Sequence, residues 1–189
     1  MPNDKDIVNS KGKQCGLEET TVIFKRLILR IIKPDQEILA RQKLLRLFYE
    51  VTVVIFLADL SGYDKTVDEH IFEDKRSTHL RKTLMQFEDV CNSSWLAKAG
   101  IILVLHRLEA FREKIAINPL RKYFPDYTGG ADYASALAYI SNRLTSLNRF
   151  PDQVVIHHSM LQEDDSSLIA LVVKVVNNRT LESNLKSIA

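Results

Sequence analysis

The sequence predicts an α/β fold, with a mostly parallel sheet and helices on both of its faces. Two apolar runs, residues 51–58 and 101–105, have the continuous hydrophobicity of strands that are buried on both faces. Segments in which apolar residues recur every three to four positions, as in an amphipathic helix, separate and follow these runs. Strands and helices that alternate in this way form parallel sheets with helical crossovers.

The first part of the chain is less regular. Residues 1–19 are polar, lack any periodicity and are predicted to form a disordered tail. Residues 22–32 are rich in β-branched side chains, which predicts one strand or a tight pair of strands. Pro34 ends that run, and Asp35 is a suitable N-cap for a helix over residues 36–49.

Apolar periodicity and turn residues predict the remaining elements. These are a helix over residues 78–91, a short helix over 109–115, a loop over 118–130, a helix over 132–147, a strand over 153–157 and a long helix over 166–186.

The composition and charge of the chain limit the classes of protein to which it can belong. The chain has 189 residues and a formal net charge of +2, from 26 basic and 24 acidic residues, so we expect no nucleic-acid partner. No apolar run reaches the ~18 residues of a membrane span. The two cysteines are typical of a reducing compartment. We therefore expect a cytoplasmic protein without a membrane span.

Several short motifs follow one another in a defined order. They are Ser61-Gly62-Tyr63-Asp64, Phe87-Glu88-Asp89-Val90-Cys91-Asn92-Ser93-Ser94-Trp95, Phe111-Arg112-Glu113-Lys114-Ile115, Phe124-Pro125-Asp126-Tyr127-Thr128-Gly129-Gly130, Ala138-Tyr139-Ile140 and Ser183-Asn184-Leu185-Lys186. In sequence, order and spacing they resemble the Ras-like domain of heterotrimeric G-protein α subunits, and the similarity covers roughly residues 20–189.

This resemblance implies a truncated Ras-like domain of the P-loop NTPase type over residues 20–189, after the tail of residues 1–19. Because no apolar strand precedes residue 20, the first central strand of that fold is expected to be missing. The helical domain that the family inserts before its first switch is expected to be absent as well. Asp59 and Asp64, which flank a strand end, correspond to a structural loop in the family.

The family's phosphate-binding residues are altered. Members hold the GTP phosphates with G-x-x-x-x-G-K-[ST], whereas this chain has Gly12-Lys13-Gln14, with a glutamine where the magnesium-binding hydroxyl belongs. In the first switch, Leu17 stands at the position of the arginine finger. Thr20 is a candidate magnesium ligand there, with the alternative that it simply begins a strand.

The second switch and the guanine motif differ too. Lys33-Pro34-Asp35-Gln36-Glu37 corresponds to the family's D-V-G-G-Q, which places Glu37 at the catalytic glutamine and Lys33 at the metal-side aspartate. The family's guanine-specifying motif N-K-x-D corresponds to His106-Arg107-Leu108-Glu109 in this chain. Glu109 keeps a carboxylate, one methylene further from the backbone.

The predicted function follows from this combination. We expect a signalling protein like a G-protein α subunit that binds other proteins and has a degenerate GTP site, a pseudoenzyme relative with no required cofactor. GTP or GDP and Mg²⁺ would bind only if the family activity survives. Whether the chain hydrolyses GTP is left open, although its residues favour the absence of hydrolysis. The alternatives are a residual guanine-nucleotide-binding protein or GTPase, and a non-functional fragment of a longer α subunit.

The resemblance also names partners. The family's second-switch helix meets the βγ dimer, and Lys43 and Leu44 fall on the corresponding stretch, with Leu44 in place of a contact tryptophan. The family's C-terminal helix meets the receptor, and Leu185 and Lys186 fall there. A βγ dimer, a receptor or an effector is therefore the expected partner, and such partners could hold the protein at the inner face of the plasma membrane.

Overall fold

The computed structural model describes most of the chain in two compact units, Met1–Leu47 and Phe48–Ala189. The described residues are 17–24, 27–34, 48, 50–66, 78–150, 154–158 and 166–188. Among the helices so described, none is long and apolar enough to cross a membrane.

The first unit contains an antiparallel hairpin. Strand β1, Leu17–Phe24, pairs with strand β2, Leu27–Pro34. The sequence predicted one strand or a tight pair of strands over residues 22–32, after a tail that ended at residue 19. The structure shows a pair, which begins earlier, at Leu17, and extends to Pro34, so the end of the predicted tail lies in β1. The rest of the predicted tail, residues 1–16, and most of the predicted helix over 36–49 lie outside the described residues.

The polar residues at the start of β1 form ion pairs across the ladder. Glu19 accepts from Arg30 Nε at 2.5 Å, and Glu18 accepts from Lys33 Nζ at 3.2 Å, both across the ladder. These pairs are exposed, so they contribute little to stability but favour this register over others.

The second unit is built on a parallel sheet of three strands. These are β3 (Val53–Asp59), β4 (Gly100–His106) and β5 (Val154–His158), in the order β3-β4-β5. Strand β4 is central and fully buried from Gly100 to Leu105. The prediction of apolar strands buried on both faces is confirmed for β4, whereas one face of β3 is partly exposed.

Four helices accompany the sheet, and all four were predicted within a few residues of their ends. They are α1 (His79–Cys91), α2 (Leu108–Ile117), α3 (Tyr133–Ser146) and α4 (Ser166–Ile188). Short 3₁₀ turns occur at Leu60–Gly62, Ser94–Leu96 and Leu120–Lys122. The last of these lies in the segment predicted as loop.

The two faces of the sheet carry cores of different size. On one face, Leu103 and Leu105 pack in a large cluster with residues of α1, α2 and α3, including Phe87, Phe111 and Ile140. On the other face, a smaller cluster consists of Ile102, Val104 and Val175, with Val53, Leu168, Leu171 and Val172 packed against it. The prediction of a parallel sheet with helices on both faces is therefore confirmed.

Helix α4 approaches the start of β4 closely. A Cβ atom at Gly100 would lie 2.6 Å from Val175 Cγ1, closer than real Cβ atoms come. Glycine at this position leaves room for the side chains of α4 against the start of β4.

A polar network ties the loop after β3 to the end of α2. Lys114 Nζ donates to Asp64 Oδ1 at 2.6 Å and to the carbonyl of Ser61 at 2.8 Å. Asn118 Nδ2 donates to Asp64 Oδ2 and to the Tyr123 hydroxyl. The Tyr63 hydroxyl donates to the Asn118 carbonyl at 2.5 Å. The network fixes this loop against α2 with its buried polar groups paired.

Two further polar contacts join motifs that are distant in sequence. Asn92, at the end of α1, donates to the Leu147 carbonyl at 2.8 Å and accepts from the Arg149 amide at 3.0 Å, which links the ends of α1 and α3. Asp126 accepts from the Tyr139 hydroxyl at 2.7 Å and from Arg143 at 2.6 Å. The motif residues quoted above are therefore largely packing residues.

The network around Asp64 predicts a pH dependence of stability. Burial raises the pKa of the Asp64 carboxyl, but hydrogen bonds from Lys114 and Asn118 outweigh burial and leave that pKa below its ordinary value. The folded state therefore binds a proton at Asp64 less readily than the unfolded chain does. The resulting stabilisation is present above the unfolded pKa, about 4, and is lost as the pH falls through the lower folded pKa.

The variant Asp64→Asn should be about 2 kcal/mol less stable than the parent chain near neutral pH, and the gap should narrow as the pH falls below about 4. Urea unfolding measured from about pH 6 to about pH 2.5 gives both quantities. Glu113→Gln, an exposed change on α2, is the matched control and should run parallel to the parent. A constant gap between Asp64→Asn and the parent over this range would contradict the prediction.

Candidate functional site

The carboxyl ends of the parallel strands form one edge of the sheet. Asp59, the last residue of β3, is the register partner of His106, the last residue of β4. His158, the last residue of β5, is the register partner of Leu105. Open α/β sheets bind ligands at this edge, so the side chains gathered here form the candidate site.

Asp59 is engaged through both carboxylate oxygens. Its Oδ1 accepts from the amide of Ser61 at 2.9 Å and from the Ser61 hydroxyl at 2.7 Å, which caps the 3₁₀ turn after β3. Its Oδ2 lies 3.4 Å from Nη1 of Arg107. Burial raises the pKa of Asp59, but the bonds from Ser61 and the positive charge of Arg107 outweigh burial and leave it below the ordinary value. Asp59 is therefore a carboxylate at neutral pH.

Arg107 turns the chain from β4 into α2. Its φ of 59° and ψ of 38° are left-handed, and it is the one described non-glycine residue with a positive φ. This conformation costs a residue with a Cβ atom about 1 kcal/mol. The guanidinium of Arg107 forms the ion pair with Asp59. Arg107 therefore combines a strained backbone conformation with an ion pair that joins the ends of β3 and β4.

His106 and Glu109 flank this pair. His106 is half-buried, and burial lowers its pKa, with the charge of Asp59 acting in the opposite direction. The imidazole is therefore neutral at pH 7. Glu109 is exposed in the first turn of α2, where the helix dipole favours an acidic side chain.

The structure thus brings His106 and Arg107 together with Asp59, while Glu109 lies in the adjacent helical turn. The ion pair between Asp59 and Arg107 was not predicted. The sequence contains a signal for this ion pair. Asp59 and Arg107, which carry opposite charges, each follow an apolar run, and parallel strands end at the same edge of a sheet.

The other predicted site residues lie elsewhere or outside the described part of the chain. Thr20 is exposed in the middle of β1, opposite Ile31, and its role as a magnesium ligand stays a prediction. Glu37, Lys43 and Leu44 lie outside the described residues. Leu185 and Lys186 belong to α4. Within the described residues, no three His, Cys, Asp or Glu side chains are grouped so that they could hold a metal ion.

The strained turn yields a test of the Arg107 geometry. Arg107→Gly and Arg107→Ala both remove the ion pair, but only glycine adopts the left-handed conformation without steric cost. The glycine variant should therefore be about 1 kcal/mol more stable than the alanine variant. Thermal and urea unfolding of the two proteins measure the difference, and equal stability would show that this turn is not left-handed.

Comparison with known proteins agrees with this architecture. The sequence profile described as "G-protein alpha subunit" matches residues 1–180. The guanine nucleotide-binding protein subunit alpha of Pyricularia oryzae is 37% identical over 186 residues, which is 98% of this chain and 51% of that protein. The alpha-1 subunit of Neurospora crassa and the G-protein complex alpha subunit gpaA of Aspergillus fumigatus have the same identity and coverage.

The chain thus spans about half the length of these curated relatives. The matched range includes the two strands of the hairpin as well as the three-stranded sheet and most of the helices. With this extent of match, the chain belongs to the G-protein alpha-subunit family.

Proposed function

We propose that this chain is a protein-binding member of its family that takes part in G-protein-coupled signal transduction without binding or hydrolysing GTP. The observation that carries the proposal is the ion pair between Asp59 and Arg107. It occupies the edge of the sheet at which the resemblance places the guanine base.

The residues at this edge suit a guanine base poorly. The family's N-K-x-D needs a lysine stem over the base and an aspartate that accepts from it. Arg107, at the lysine position, has its guanidinium beside Asp59, and Glu109 carries its carboxylate one methylene further out. A neutral imidazole at His106 offers one donor and one acceptor in a ring, which differs in geometry from an asparagine amide.

The phosphate side supports the same proposal. The resemblance places Lys33 where the family has the aspartate that holds Mg²⁺ through water. Lys33 lies in β2 and donates to Glu18 at 3.2 Å. A cation at that position repels Mg²⁺ instead of attracting it, and Gly12-Lys13-Gln14 lacks the hydroxyl of the phosphate loop. We therefore expect no requirement for GTP, GDP or Mg²⁺.

Protein binding is the function that remains compatible with these residues. The loops at the carboxyl edge are held by side-chain contacts of Ser61, Arg107 and Lys114. Contacts within the chain can preorganise a surface for a protein partner. By resemblance, the partners are a βγ dimer, a receptor or an effector, and the protein acts in the cytoplasm or, through them, at the inner face of the plasma membrane.

A fluorescent GTP-analogue titration in the presence of Mg²⁺ tests the nucleotide half of this proposal. The full chain should show no saturable binding at micromolar concentrations, because neither the base nor the phosphates find their usual contacts. The Neurospora crassa alpha-1 subunit, prepared in parallel, is the positive control.

The combined variant His106→Asn, Arg107→Lys and Glu109→Asp restores the family's base motif and should still bind no nucleotide, since the phosphate contacts are not restored. Saturable micromolar binding by the parent chain would overturn the proposal.

Binding to a purified βγ dimer tests the protein-binding half. We propose Lys43 and Leu44 as contact residues for the βγ dimer, with Leu185 and Lys186 for a receptor. Lys43→Glu reverses a charge at the contact and should weaken βγ capture about tenfold in a quantitative pull-down.

Lys122→Glu changes the same charge at an exposed position in the other unit and should leave capture unchanged. The absence of any capture by the parent chain, or an equal effect of both variants, would contradict the assignment.

A further inference from the structure

We draw no further inference here: the strongest candidate, the surface patch at the amino-terminal edge of the sheet, where Trp95 precedes β4 and Phe150 precedes β5 with both rings exposed, carries nothing because nothing in the structure shows what covers it.

Discussion

The larger unit of this protein depends on the burial of one strand. Strand β4 is central in the sheet, and its side chains from Ile101 to Leu105 alternate between the two hydrophobic clusters without contact with water. Each such side chain contributes roughly 1.5–3 kcal/mol on burial. Where β4 ends is therefore fixed by packing, and that end determines where His106 and Arg107 stand.

The family resemblance rests mainly on residues that hold the helices to the sheet. Asp64, Lys114 and Asn118 connect two of the motifs. Asp126 and Tyr139 connect two others. These contacts involve no ligand, and they lie in motifs other than the one that carries Arg107. A chain can consequently keep the family's packing while the residues at its carboxyl edge change.

How far the sequence predicts the structure depends on the kind of force involved. Burial is visible in a sequence as apolar runs and periodicity, and β4, α1 and α3 were predicted close to their observed bounds. The start of β1 was missed because Glu18 and Glu19 are polar there. Their pairing with basic residues of β2 becomes visible only when the register is known.

The sequence named residues of the candidate site but not the ion pair within it, for a physical reason. His106 and Arg107 were named from the resemblance of His106-Arg107-Leu108-Glu109 to the family's guanine motif. The structure places them where β4 ends and α2 begins, and their role stays a prediction. The ion pair with Asp59 requires the register of two strands that are more than forty residues apart. The left-handed backbone at Arg107 follows from the path between strand and helix, and arginine has no preference for it.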